Sequence, residues 1–212
     1  MNKILFSGIQ PTGEIHLGNF LGAIKHWIDL CDSHESIFSI VDYHAVTIEY
    51  IPAEFSESVI ETATVLIACG LPAPDKCRLF VQSQVPEHTE LAWIFSSVTP
   101  IGHLQRMTQF KEKSQQHAEN INTGLFSYPV LQAADIALYR AEVVPVGEDQ
   151  IQHLELCREI TRKFNKRFNC DFFPDAVEFT GNAPRILGLD GKKKMSKSLG
   201  NAINIIEAPD IV

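Results

Sequence analysis

One junction near the start constrains this chain more than any other stretch. The apolar run Ile4-Leu5-Phe6 has the length and character of a buried strand. A Gly/Pro-rich turn follows, from Ser7-Gly8-Ile9-Gln10-Pro11-Thr12-Gly13 to His16-Leu17-Gly18-Asn19. Beyond it, Phe20, Ile24, Trp27, Ile28 and Cys31 fall on one face of an amphipathic helix. A strand that turns directly into a helix points backbone N–H groups and the positive end of the helix dipole at whatever lies above the sheet. Phosphate is the usual guest there. His16 and Asn19 both sit at the helix start, and Gly18 between them leaves room for a flat base. The plainer reading is a solvated His and an Asn cap.

The rest of the chain repeats the alternation. Ile37-Phe38-Ser39-Ile40-Val41 predicts a second strand, ending in Asp42-Tyr43-His44-Ala45. His44 is then either a pocket residue at a strand end or a hydrogen-bonded structural His. Pro52 opens a helix with an apolar stripe of Phe55, Val59, Ala63, Leu66 and Ile67, closed by Gly70. Leu79-Phe80-Val81 predicts a third strand and Val143-Val144-Pro145-Val146 a fourth. Arg185-Ile186-Leu187-Gly188 predicts a last short one. This order gives an α/β fold, a Rossmann-like, doubly wound parallel sheet.

Residues 87–140 break the pattern and predict a mostly helical insertion. It opens with a helix over Glu87–Val98, stopped by Thr99-Pro100, and continues through a polar stretch over Thr108–Asn120. A second helix is expected with Ser127 as its cap and Pro129 in its first turn. Asp135 lies in the apolar middle of that helix. A buried carboxylate needs a partner: either a local one such as Arg140, or a donor on a ligand. Tyr128 can face the same cavity. After the fourth strand, Gly147-Glu148-Asp149-Gln150 sits at another strand end, where Asp149 suits ribose hydroxyls or a helix cap.

Bulk properties exclude several classes. An apolar content of 45% supports a real core in a chain of 212 residues. There is no apolar run of about 18 residues and no signal-peptide layout, so no membrane span is expected. The net charge of −8 argues against a chain that coats nucleic acid nonspecifically. Arg158, Arg162, Lys163, Lys166 and Arg167 share one helix, best taken as a charged outer face. The five cysteines are odd in number, form no metal-binding pattern, and suit a reducing cytoplasm.

A second segment weighs on the first. Lys192-Lys193-Lys194-Met195-Ser196-Lys197-Ser198 lies between Gly191 and Gly200, the layout of a mobile cationic loop. His-x-Gly-Asn early with Lys-Met-Ser-Lys-Ser late resembles the paired signature of class I aminoacyl-tRNA synthetases. Within them the chain is similar to the bacterial-type tryptophanyl family. The carriers are the Ser7–Gly13 and His16–Asn19 stretches, Val41–Ala45, Thr108–Ser114, Tyr128–Leu131, Ala134–Ile136, Val144–Gln150 and Lys194–Ser198.

The resemblance implies ATP-dependent activation of L-tryptophan, then transfer to tRNA(Trp), with Mg²⁺ accompanying ATP. It implies a cytoplasmic homodimer whose second copy packs on the Pro52–Gly70 and Glu87–Val98 helices. Phe6, Gly8, His44, Val144 and Val146 would line the indole pocket, with Gln132 on its floor where many relatives carry Met. Asp135 would accept the indole N–H. Tyr128 and Gln150 would hold the ammonium, and Gln10 would lie near the carboxylate and α-phosphate. His16, Gly18 and Asn19 would hold the adenine and phosphate end of ATP; Gly147 and Asp149 would take the ribose. Lys113, Lys194 and Lys197, with Met195, Ser196 and Ser198, would meet the phosphates, and Gln10 with these lysines would be catalytic.

The implied division is a catalytic domain over 1–190, then the lysine loop and the start of a C-terminal helical domain over 191–212. The family continues into an anticodon-recognition domain, so the expectation is a truncated chain or a catalytic-domain fragment. The rival readings are a tyrosyl-type synthetase, another nucleotidylyltransferase with a His-x-Gly ATP site, and a non-catalytic nucleotide-binding module.

Overall fold

The computed structural model describes residues 2–12, 15–72, 74–110, 121–147, 150–179, 186–193, 195, 199–208 and 210. Five parallel strands form one sheet in the order β3-β2-β1-β4-β5. They are β1 Ile4–Ile9, β2 Glu35–Ile40, β3 Cys77–Val81, β4 Val143–Pro145 and β5 Val177–Phe179. The strand order reverses at β1, with β2 on one side and β4 on the other. Ligand crevices in open α/β sheets form outside the carboxyl ends of strands at such a point.

The sheet is buried on both faces, and the strand period of two sorts neighbouring residues between two cores. Leu5, Phe38 and Val143 pack with Trp27, Ile24 and Leu66 on one side. Phe6, Ile37 and Val144 pack with Phe95, Ala133 and Ile160 on the other. The first core is covered by the helical run Leu17–Asn19, Phe20–Ile24 and Lys25–Leu30, whose middle segment is a π-helix, and by the Pro52–Ala68 helix. The second is covered by the Glu87–Ser96, Thr123–Leu138 and Ile151–Phe168 helices. Between β3 and β4 every described element after the short turn at Gln82–Gln84 is α-helical.

Three local expectations change. The second insertion helix begins at Thr123, because the Asn122 side chain caps it by accepting the Leu125 N–H at 2.9 Å. Ser127 is therefore inside the helix and donates its hydroxyl to the Thr123 carbonyl at 2.8 Å, and Pro129 is interior too. On the Pro52–Ala68 helix, Val65 and Leu66 face inward while Ile67 is 62% exposed.

The fifth strand lies at Val177–Phe179 rather than at 185–188. Arg185 is outside the described residues. The Ile186 carbonyl instead accepts the Met195 N–H at 3.0 Å, and the Gly188 N–H donates to the Lys193 carbonyl at 2.8 Å. These bonds fold 186–195 back on itself. Of the five cysteines, Cys31, Cys77 and Cys157 are buried, Cys69 is half-buried and Cys170 exposed.

Candidate active site

A cavity of about 820 Å³ opens at the carboxyl ends of β1, β2 and β4, within the ~300–1,000 Å³ range of small-molecule sites. Of the residues singled out from sequence, Phe6, Gly8, Gln10, His44, Tyr128, Gln132, Asp135, Val144, Val146, Gly147 and Gln150 all line it. They come from the end of β1, the turn after β2, the middle of the Thr123–Leu138 helix and the end of β4. Gly8 is needed for space, since a Cβ there would lie 2.8 Å from Val41 Cγ1.

Asp135 is 1% exposed and its partners are not local. Its Oδ2 takes the His44 Nε2 hydrogen at 2.7 Å. Its Oδ1 takes the Gln82 Nε2 hydrogen and the His88 Nδ1 hydrogen, each at 2.7 Å. On its far side, His88 Nε2 lies 2.9 Å from the Tyr139 hydroxyl. Burial opposes ionisation of Asp135, but attraction to His44 and the N–H donors of His44 and His88 outweigh it and hold the carboxyl below its usual range. Burial, helped by the nearby Asp135 charge, pushes the Tyr139 phenol up to about 12.

Gln82 also accepts the Tyr43 N–H at 3.1 Å, and Asp42 accepts the Ser83 N–H at 3.0 Å. The ends of β2 and β3 are thereby tied to each other and to Asp135. The partners Gln82 and His88 escape a sequence reading. Each is far from Asp135 along the chain, and the only signal was that a carboxylate in an apolar helix must have donors.

Tyr128 is also set by the fold. Its hydroxyl lies 2.9 Å from His153 Nε2 and 3.5 Å from Gln109 Oε1, with its ring stacked on His153 at 5.4 Å. Gln132 Nε2 donates to Gln150 Oε1 at 3.3 Å across the cavity wall. Gln109, His26, Trp27 and Phe179 line the cavity as well. Gln109 lay in a motif stretch but carried no charge or spacing to single it out.

His16, Gly18, Asn19 and Met195 lie apart from these lining residues and meet one another. His16 Nδ1 accepts the Asn19 N–H at 3.2 Å, and Asn19 Oδ1 accepts the His16 N–H at 3.1 Å, a reciprocal capping box. The cap is therefore His16, not Asn19, which reciprocates from the third helical position. Lys113, Asp149, Lys194, Ser196, Lys197 and Ser198 lie outside the described residues.

A parallel sheet reversing at β1, a cavity at its strand ends and a buried carboxylate in the cavity wall form the setting for comparison with known proteins. Residues 2–212 match the family model of the class I tRNA synthetases (W and Y). This chain belongs to that family. It is 49% identical over 215 residues to a tryptophan–tRNA ligase of Helicobacter pylori, covering 99% of this chain and 65% of the relative. The corresponding ligase of Wolinella succinogenes is 50% identical over 214 residues, with the same coverage. A crystal structure of tryptophanyl-tRNA synthetase from Campylobacter jejuni, complexed with ADP and tryptophan, superposes with a TM-score of 0.89 at 37% identity. It is matched over 98% of this chain and 64% of its own length. The chain thus spans about 65% of the length of the curated relatives it matches.

Proposed function

We propose that this chain carries the amino-acid activation site of a tryptophan–tRNA ligase, joining L-tryptophan to AMP at the expense of ATP. The observation that carries the reading is Asp135, an ionised carboxylate and the one acidic side chain among the described residues lining the cavity. Such a group suits a substrate with one N–H on an aromatic body, which is indole. The Helicobacter and Wolinella relatives are tryptophan–tRNA ligases, and the Campylobacter structure holds tryptophan and ADP.

In this reading Phe6, Gly8, His44, Val144 and Val146 enclose the indole, with Gln132 at the floor. Tyr128 and Gln150 take the ammonium. The substrate carboxylate attacks the α-phosphorus of ATP; a new O–P bond forms, and the bond to the bridging oxygen of the β-phosphate breaks, releasing pyrophosphate. No protein nucleophile is required, so the site contributes position and charge. Gln10 lies beside the reacting carboxylate. His16, Gly18 and Asn19 take the adenine and phosphate end, and Gly147 and Asp149 the ribose. Lys113, Lys194 and Lys197 neutralise phosphate charge, with Met195, Ser196 and Ser198 alongside. Mg²⁺ arrives on the ATP phosphates. Among the described residues no cluster of three or more His, Cys, Asp or Glu side chains is placed to hold a metal, so no step is assigned to a protein-held ion.

We assign the catalytic unit to 1–190, with its helical insertion at 87–140, and the lysine loop with the start of a C-terminal helical domain to 191–212. Transfer to tRNA(Trp), a cytoplasmic setting and a homodimer belong to the same proposal. Exposed Ile60, Ile67, Trp93, Ile94 and Ile101 on the insertion and Pro52–Ala68 helices support a second copy there. Among the described residues, no helix is long and apolar enough to cross a membrane.

Exchange of labelled pyrophosphate into ATP tests the activity. It should require tryptophan and fail with tyrosine, phenylalanine or no amino acid. Exchange driven equally by tyrosine, or independent of any amino acid, would overturn the reading.

A further inference from the structure

A carboxylate offers about four acceptor positions, two on each oxygen. In Asp135 they are filled unevenly. Oδ1 already takes two donors, Gln82 and His88, while Oδ2 takes only His44 among the described hydrogen bonds. The oxygen with capacity for a further N–H is Oδ2. His88 is 0% exposed and does not line the cavity, so its effect on a ligand must pass through Asp135.

The ring of His88 is itself held from behind. The Asp135 carboxylate accepts, so the His88 hydrogen aimed at Oδ1 at 2.7 Å is on Nδ1, and Nε2 of the neutral ring then accepts from the Tyr139 hydroxyl at 2.9 Å. The Tyr139 phenol, raised to about 12, keeps its proton throughout the physiological range. Tyr139 also stacks on Phe6, with ring centroids 5.6 Å apart and 13° between planes, and Phe6 lines the cavity. Phe80 packs against both His88 and Tyr139 at 5.7 and 5.6 Å. One cluster, with Phe6, His88 and Asp135 buried and Phe80 and Tyr139 half-buried, therefore joins the apolar wall of the cavity to its carboxylate.

We infer that His88, locked by Tyr139, is a positioning residue for substrate selection: it saturates Asp135 Oδ1 and thereby turns Oδ2 toward the indole N–H. This rests on the assignment of Asp135 as the indole acceptor. Without the His88 donor, Oδ1 has an open acceptor position and the carboxylate is free to rotate. The loss should fall on substrates that bring an N–H and spare those that do not.

The test compares tryptophan with β-(benzothiophen-3-yl)alanine, a near isostere with sulfur in place of the N–H, in pyrophosphate exchange by the full chain. The unaltered chain should prefer tryptophan. His88→Leu should lower kcat/KM for tryptophan on the order of tenfold, mainly through KM, as befits one lost bond to a charged group. It should change the sulfur analogue and the KM for ATP far less, so that the preference collapses. His88→Asn, whose amide nitrogen reaches the position of Nδ1, should restore most of it. Tyr139→Phe removes one oxygen and should move the preference in the same direction by a smaller factor, a readout that stands if His88→Leu does not fold. A parallel fall for both substrates in His88→Leu, or an unchanged preference in Tyr139→Phe where His88→Leu is insoluble, would reduce His88 to packing and overturn the inference alone. No preference for tryptophan in the unaltered chain would overturn the Asp135 assignment and this inference with it.

Discussion

Gly18 donates its backbone N–H to the sulfur of Met195 at 3.2 Å, joining two points 177 residues apart. The contact is one of several along the same seam. Leu17 N–H donates to the Ile203 carbonyl at 2.9 Å, Ile205 N–H donates to the Ile15 carbonyl at 3.0 Å, and His16 and Asn204 form an antiparallel bridge. Met195 is 5% exposed, so its side chain is buried at this seam. Gly191 and Gly200, on either side, have φ of +62° and +61°, the left-handed turns that a residue with a Cβ adopts at a cost. The His16–Asn19 turn and Met195, 177 residues on from Gly18, are one structural unit.

Gly18→Ala should disturb that unit and little else. An added Cβ would lie 3.0 Å from the His16 ring and 3.3 Å from Met195 Cβ, so the His16 turn and the Met195 segment must separate. The expected result is a rise in the KM for ATP, or a fall in exchange rate, of about tenfold, equivalent to ~1.4 kcal/mol. Equilibrium binding of tryptophan should stay near its original value, because none of these residues lines the cavity around Asp135. Equal weakening of tryptophan binding would sink the separation of the two subsites.

The sequence made much of this legible, for identifiable reasons. β1, the turn after it and the helix beyond carry apolar periodicity and turn residues in local order, so their placement needed no tertiary information. Among the cavity residues, His44 and Gln150 could be placed at strand ends by the same alternation, whereas Phe6, Gly8, Val144 and Val146 were named only through the resemblance. β5 was missed because it is three residues long with Glu178 at its centre, and the pairing of Glu178 with Arg158 of the neighbouring helix is what makes that charge tolerable. The false strand at 185–188 shows the converse. Ile186 and Leu187 are apolar enough for a strand, but the Ile186 carbonyl and the Gly188 N–H are taken by the returning chain. Likewise Ser127 and Pro129 mimic a helix start, and only the side-chain bond of Asn122 shows that the helix begins earlier.

Acid should expose the energetics of the Asp135 network. The folded-state pKa of Asp135 lies below its ordinary value of 3.8. Its contribution to stability is therefore complete above that value and is lost as pH falls through the lower, folded-state pKa. Asp135→Ala leaves the buried donors of His44, His88 and Gln82 without their acceptor, a loss of about 3–5 kcal/mol near neutral pH by analogy with broken buried pairs. Urea unfolding of both proteins from pH 7 downward should show that gap constant at first and shrinking below the ordinary carboxylate range. A gap unchanged down to the acid unfolding of the parent chain would mean that ionised Asp135 contributes nothing to the network.

The last prediction separates activation from tRNA charging. The helix Ile151–Phe168 carries five basic residues, Arg158, Arg162, Lys163, Lys166 and Arg167, and a cationic face there would be the natural place to meet phosphates. Three of those five charges are already engaged in ion pairs. Arg158 pairs with Glu178 and donates to the Ala176 carbonyl at 2.7 Å, Arg162 pairs with Asp175 at 2.6 Å, and Lys163 pairs with Glu159 at 2.9 Å. With a net charge of −8 as well, this chain has little electrostatic attraction for a polyanion. The proposed activation site is a cavity lined by none of those side chains. The 212-residue chain should therefore support tryptophan-dependent pyrophosphate exchange while transferring tryptophan to tRNA(Trp) slowly and with weak, salt-sensitive binding. Measuring both reactions on one preparation decides the point, since tRNA charging as fast as activation at physiological salt would show that this surface binds tRNA after all.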